Sequence, residues 1–156
     1  MADAAHQHPW KISDVVLFPL AVLGGIAEWL WPTRIAGFPN VWLIVAGVLM
    51  ALAGAGLIGW AKRTLDAGAQ PNLPGAPTTE LLTSGAFRVS RNPNYLGAVL
   101  IALGLGLALD SLWLLGTALL SALVLDRWMI APEERYLSAR FGAEYDAYRR
   151  QVRRWL

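Results

Sequence analysis

The sequence contains no cysteine, which excludes disulfide scaffolds, thiolate metal sites, iron–sulfur clusters and cysteine nucleophiles. Its two histidines, His6 and His8, sit in a polar N-terminal stretch. No internal imidazole is therefore available for a histidine-based triad or a histidine-rich metal site, and no metal is expected. Charge is scarce as well: 15% of the 156 residues are charged, where an ordinary soluble domain carries about 25%. What is present is apolar, with 56% hydrophobic residues, eight tryptophans and a mean hydropathy of +0.43. The length fits one domain. A pI near 9.3 would suit a nucleic-acid partner, but the net charge is only +2, so none is expected. The placement of the thirteen lysines and arginines is more telling.

Residues 15–31 (VVLFPLAVLGGIAEWLW) carry one charge, Glu28, and residues 41–61 (VWLIVAGVLMALAGAGLIGWA) carry none. Both runs approach the ~20 apolar residues that cross a bilayer as a helix. A cleavable signal peptide fits the first run less well, because no small-residue cleavage site follows and WPTRIAGFPN reads as an interhelical loop. Residues 62–94 are polar and rich in Gly, Pro and Thr, too long for a plain connector and so a candidate functional segment. A second apolar block, residues 95–130, is interrupted at Asp110 and Ser111 and bears Asp126 and Arg127 near its end. It divides into two short spans. Residues 131–156 are charged and helix-prone, with Leu137, Phe141, Tyr145, Tyr148 and Val152 at spacings of three or four. That is one apolar face on a basic helix, suited to lying on a membrane or packing against a bundle.

The expectation is an all-α integral membrane bundle of about four transmembrane helices, forming a single domain over residues 1–156. Its parts are two N-terminal spans (1–61), a cytoplasmic loop (62–94), a helical hairpin (95–130) and amphipathic cytoplasmic C-terminal helices (131–156). With both termini cytoplasmic, every lysine and arginine except Arg34 falls on the inner side, a positive-inside sorting. Trp10, Trp29, Trp31, Trp42, Trp60, Trp113, Trp128 and Trp155 all fall close to proposed helix ends, where amphipathic rings prefer the headgroup region. The long loop and the C-terminal segment then share one face.

Gly54-Ala55-Gly56-Leu57-Ile58-Gly59 fits the dinucleotide pattern GxGxxG but lies inside an apolar helix, with no preceding strand. Close approach of a neighbouring helix explains these glycines more simply than a ligand lying against bare backbone. In GAFRVSRNPNYLG, residues 85–97, proline pushes Asn92 out of helical geometry, so Asn92 can cap a helix that has Pro93 at its first position. Arg91 beside that positive helix end favours a carboxylate or phosphate, although a capped helix with a positive-inside arginine also explains the pattern. Pro132-Glu133-Glu134 reads either as a helix start, with acids at the positive dipole end, or as carboxylates turned inward to hold a cation. Arg140, seven residues after Glu133, is a candidate partner for a carboxylate or an anionic ligand, and Gly142 interrupts the helix. Glu28 is either an intramembrane functional acid or a solvated interfacial one beside Trp29 and Trp31.

Taken together, GAFRVSRNPNYLG at residues 85–97 and EERYLSARFGAEYDAYRRQV at residues 133–152 resemble the integral-membrane methyltransferases that include isoprenylcysteine carboxyl methyltransferases and phosphatidylethanolamine N-methyltransferases. The resemblance covers roughly the last 75 residues and extends weakly to Gly54-Ala55-Gly56. It implies S-adenosylmethionine as methyl donor, with S-adenosylhomocysteine as product. The cofactor residues it implies are Arg91, Asn92, Pro93, Tyr95, Glu133 and Glu134, with Gly54 and Gly56 in addition. Asn92 stands where isoprenylcysteine enzymes usually carry histidine, which favours the phospholipid branch. For an amine or thiol acceptor, Glu133, Glu134 or Tyr148 can assist deprotonation, with Arg140 a further catalytic candidate.

The resulting expectation is a membrane methyltransferase acting on a lipid or other lipophilic small molecule. A second reading is a non-enzymatic scaffold whose basic C-terminal helix binds anionic lipid. A transporter fits poorly, since no inverted repeat is visible. Gly24, Gly25 and the small residues of the second span form a candidate homodimer surface.

Overall fold

The computed structural model describes residues 13–36, 40–68 and 79–156. His6, His8, Trp10 and Lys11 lie outside the described residues, as do positions 69–78 of the polar segment. The helices are α1 (Ser13–Leu30), α2 (Val41–Ala67), α3 (Pro93–Ala108), α4 (Leu112–Leu125), α5 (Ala131–Phe141) and α6 (Ala143–Gln151). A 3₁₀ turn at Gly85–Arg88 precedes α3, and a π turn at Asp126–Ile130 joins α4 to α5. Among the described residues no β-strand forms; an isolated bridge joins Arg34 to Ser111. The fold is all-helical, and two helices, Val41–Ala67 and the continuous Leu112–Phe141, are long and apolar enough to cross a membrane.

Small residues decide how the bundle closes. Gly47 faces Gly104 and Gly54 faces Gly97, so α2 and α3 run antiparallel with glycines two turns apart on each helix. A Cβ on Gly54 would meet the Gly97 carbonyl at 2.5 Å, and one on Gly97 would meet the Gly54 carbonyl at 2.7 Å. This seam admits no side chain, and backbone-to-backbone approach replaces interdigitation. Gly24 of α1 instead makes room for the side chains of Leu114 and Thr117 on α4. Gly25 and Gly56, in contrast, have nothing within 4 Å of a Cβ position. The surface outside the seams is strongly apolar, with Phe18 71%, Trp29 81%, Trp42 76% and Trp128 71% exposed. A soluble monomer does not carry so large an apolar shell.

One end of the bundle is locked by polar groups. The turn between α3 and α4 passes through Asp110 at φ +54°, whose Oδ1 accepts from the Ile35 and Ala36 amides at 3.0 and 3.2 Å. Ser111, fully buried, donates to Glu28 at 2.6 Å and caps α4 by accepting from the Leu114 amide. Glu28 also accepts from the amide and hydroxyl of Thr33, and Trp113 donates to the Trp31 carbonyl at 2.9 Å. Glu28 is thus half-buried and satisfied by hydrogen bonds that tie α1 to the α3–α4 turn, rather than simply solvated at an interface.

A helix start at Pro132 is one of the two readings that the sequence allows for Pro132-Glu133-Glu134. The chain instead continues from α4 into α5 without a break. Proline cannot donate to the carbonyl four residues back and its ring crowds that group. The helix widens just before it, with the Ala131 amide reaching the Asp126 carbonyl five residues back. The extra residue in that turn brings Asp126 and Glu134, eight positions apart, onto one side of the helix, since a π turn followed by an α turn consumes about eight residues. Helix α5 ends at Gly142, whose φ of +52° suits glycine. The five-residue stripe expected on the C-terminal helix is realised across α5 and α6: Leu137, Phe141, Tyr145, Tyr148 and Val152 pack with Leu81 and Phe87.

The glycine seam makes a testable distinction. Gly54→Leu and Gly97→Leu are expected to destabilise the protein by at least about 1–3 kcal/mol through overpacking against backbone, lowering its thermal midpoint in detergent. Gly56→Ala is expected to be neutral or to gain up to ~1 kcal/mol of helix propensity. Equal melting of the Gly54 and Gly56 variants would remove the seam as the basis of α2–α3 packing.

Candidate functional site

Residues 84–97 are shaped by a few local contacts. Gly85 adopts φ +56° where a Cβ would collide with the Thr64 side chain, and the Thr64 hydroxyl accepts from the Ala86 amide at 3.5 Å. The 3₁₀ turn is thereby seated on the C-terminal part of α2. Asn92 takes the position before α3 with Pro93 at its start, but its side chain does not cap the helix. Instead the Asn92 side-chain amide donates to the Arg154 carbonyl at 3.1 Å, so the capping expectation holds for position and fails for the hydrogen bond.

The partner of this segment is the chain after α6. The Arg91 amide donates to the Arg153 carbonyl at 3.0 Å, and the buried Ser90 hydroxyl donates to the Arg154 carbonyl at 3.0 Å while accepting from the Asn92 amide. Residues 152–156 thus lie as a strap across the start of α3. Trp155 packs with Val99, Leu125 and Met129, and its indole N–H donates to Asp126 at 3.1 Å.

Beneath the strap lies a four-member charge network. Arg91 pairs with Glu134 at 3.1 Å, both side chains being 9% exposed. Arg154 donates to both oxygens of Glu134, at 3.3 Å from Nε and 2.6 Å from Nη2, and its Nη1 donates to both oxygens of Asp126 at 3.0 and 3.1 Å. These hydrogen bonds, with Glu134 foremost, hold the Arg154 guanidinium above the usual arginine range against the opposing effect of burial. The network nonetheless leaves atoms unsatisfied. Arg91 Nε and Nη1, the Tyr145 hydroxyl and Asn94 Oδ1 are buried without a hydrogen-bond partner. Each such group costs about 1–3 kcal/mol, and buried polar groups left in this state call for a physical reason. Burial, then the charge of Glu134, push the Tyr145 hydroxyl up to about 12 against the opposing Arg91, so it stays protonated and is a donor. Three of the four orphaned atoms are donors, two on the Arg91 guanidinium and the third on Tyr145, which feels that charge; such donors are complementary to a carboxylate or phosphate.

Arg91, Asn92, Pro93, Tyr95, Glu133 and Glu134 are therefore brought together, with the Tyr95 hydroxyl donating to Glu133 at 3.2 Å. Other expected residues go elsewhere. Arg140 is exposed, donates to the Tyr136 hydroxyl at 3.3 Å and lies over the Phe141 ring, not over Glu133 or Glu134. Tyr148 donates to the Phe87 carbonyl at 2.6 Å, and burial holds its hydroxyl above the ordinary tyrosine range, so it ties α6 to the 3₁₀ turn and is poorly suited to accept a proton. Gly54 is occupied by the α2–α3 seam and Gly56 faces open space. The sequence reading missed Asp126 as a partner, Arg154 and Tyr145. In the sequence Tyr145 fits the apolar stripe, and Arg154 is one of several inner-face arginines.

Comparison with known proteins gives this geometry a context. A family model described as phospholipid methyltransferase matches residues 42–144, spanning α2 through α5 and the buried charge network apart from its strap. A protein of Haemophilus influenzae described as uncharacterized is 46% identical over 63 residues, which cover 40% of this chain and 98% of that relative. No solved structure matches the chain. The match extends over well more than half of the sequence, and the chain belongs to the phospholipid methyltransferase family.

Proposed function

We propose that this protein is an S-adenosylmethionine-dependent methyltransferase acting on a lipophilic acceptor at the inner face of a membrane. The single observation that carries the reading is the buried Arg91 side chain, paired on one nitrogen with Glu134 and unpartnered on the other two. The cofactor implied by the family is a zwitterion whose carboxylate suits those N–H groups together with the Tyr145 hydroxyl. Its amino group or ribose hydroxyls suit Glu133, which Tyr95 orients from α3. When bound, S-adenosylmethionine supplies an electrophilic methyl group on a sulfonium, transferred by in-line displacement. The protein's own contribution is then alignment and exclusion of water. A carboxylate acceptor needs no base; for an amine or thiol, Glu133 is the side chain we assign to hold the departing proton.

In this reading the chain is one domain in which α1 to α4 all cross the bilayer with both termini cytoplasmic. Helix α3 has 16 residues and reaches about 24 Å, somewhat short of the ~30 Å hydrocarbon core. Its polar start then sits at the membrane boundary, where a lipid headgroup and a soluble cofactor can meet. The asparagine before Pro93 and the family match both favour a phospholipid or related amine over an isoprenylcysteine.

Calorimetric titration of the detergent-solubilised protein with S-adenosylmethionine is expected to show binding that Arg91→Ala weakens about tenfold or more, the scale of a lost charge-assisted hydrogen bond. Absence of binding by the unaltered protein overturns the proposal. Salt-dependent association with anionic vesicles in that same protein favours the scaffold reading instead.

Tyr145→Phe separates binding from stability. Removing an unpartnered buried hydroxyl is expected to leave the thermal midpoint unchanged or higher while weakening cofactor binding severalfold. A lower midpoint with unchanged binding would assign that hydroxyl to the fold alone. Mass spectrometry after incubation with methyl-labelled cofactor and a total lipid extract identifies the acceptor.

A further inference from the structure

We infer that Arg154 is a positioning residue for Arg91, acting through Glu134, so that the strap of residues 152–156 completes the anion-binding site. The inference rests on the proposed role of Arg91 and goes beyond it, because residues 152–156 lie outside the family match.

Arg154 governs Arg91 from two directions. Its backbone carbonyl accepts from Ser90 and Asn92, the residues on either side of Arg91, while the neighbouring Arg153 carbonyl accepts from the Arg91 amide. Its guanidinium holds both oxygens of Glu134, and Glu134 Oε1 in turn holds Arg91 Nη2. A carboxylate gripped on one edge by a bidentate guanidinium has little rotational freedom, so the direction of its contact with Arg91 is set by Arg154. Asp126, placed on the same side of the helix by the π turn, anchors the far nitrogen of Arg154. Every guanidinium nitrogen of Arg154 is thereby committed to protein carboxylates, whereas two of the three on Arg91 are not. Two arginines meet one carboxylate, yet of the two only Arg91 has guanidinium nitrogens with no protein partner.

The test uses S-adenosylhomocysteine as the calorimetric probe on the full chain, with Arg91→Ala, Arg154→Ala, Arg154→Lys, Asp126→Asn and the Arg91→Ala/Arg154→Ala double variant. Arg154→Ala is expected to weaken binding about tenfold, Arg154→Lys to restore part of the loss, and the double variant to bind no more weakly than Arg91→Ala alone. Losses that add in the double variant, or full-strength binding by Arg154→Ala, overturn the inference. If Arg154→Ala does not fold, Arg154→Lys and Asp126→Asn carry the comparison, each expected to weaken binding severalfold; full-strength binding by both overturns it. A second readout needs no cofactor: phenylglyoxal labelling followed by peptide mass spectrometry is expected to find Arg91 protected in the unaltered protein and reactive in Arg154→Lys. Equal protection in both overturns the inference. A protein that fails to bind the probe but shows the labelling difference would refute the cofactor reading and leave the positioning role standing.

Discussion

A carboxylate taken out of water must be neutralised, and the arrangement at one end of this molecule follows from that requirement at Glu134. The cost of desolvating an ion is recovered only when charge and hydrogen bonds around it are nearly complete. Glu134 meets the condition with two guanidiniums drawn from distant parts of the chain: Arg91 from the segment before α3, and Arg154 from the strap after α6. These contacts cannot form unless α5, the start of α3 and the strap converge. The burial of one side chain therefore fixes the relative placement of three segments, and the pairing of Arg154 with Asp126 adds the end of α4 as a fourth.

The seam between α2 and α3 makes the convergence possible from the other side. Because Gly47, Gly54, Gly97 and Gly104 let the two backbones touch, the end of α2 is carried to the level where Thr64 can seat the 3₁₀ turn. That turn delivers the Phe87 carbonyl to Tyr148 and Arg91 to Glu134. At the opposite end, Glu28, Ser111 and Asp110 join α1, the loop after it and the α3–α4 turn. With helix pairs pinned at both ends and small residues between them, side-chain packing has little freedom to shift α3 along α2, and the cluster inherits that rigidity.

Much of this was legible in the sequence because it depends on local pattern. The apolar runs, the interruption at Asp110 and Ser111, the stripe from Leu137 to Val152 and the conjunction of Arg91 with Glu133 and Glu134 all follow from periodicity, motif spacing and the sorting of charge. What was not legible depends on chain reversal or on a change of helical period. Arg140 looked like the partner of the acids because seven residues along a straight helix return to nearly the same face. Gly142 ends that helix, and the chain doubles back to offer Arg154 instead. Asp126 is out of register with Glu134 on an ordinary α-helix and comes into register through the π turn before Pro132, which no apolar pattern announces. Tyr145 fits the apolar stripe, a pattern that carries no signal of its hydroxyl, although it is that hydroxyl which lacks a partner.

The charge balance of the cluster narrows what can occupy it. Asp126 and Glu134 face Arg91 and Arg154, so these four charges cancel among themselves, with Glu133 and the exposed Arg127 at their margin. A simple anion brought to the free nitrogens of Arg91 would gain hydrogen bonds but leave a net negative charge in a poorly solvated place, where it is costly. A ligand that carries its own cation close to its carboxylate avoids the penalty, and Glu133, which accepts from Tyr95, is the acid assigned to that cation in the proposed function. On the proposed function, the arrangement therefore suits a zwitterion better than plain phosphate or a fatty carboxylate. Adding a second protein carboxylate to satisfy Arg91 would stabilise the fold at the expense of buried donors that, on the proposed function, the cofactor uses. On that reading, the unsatisfied nitrogens are the part of the network kept open for binding.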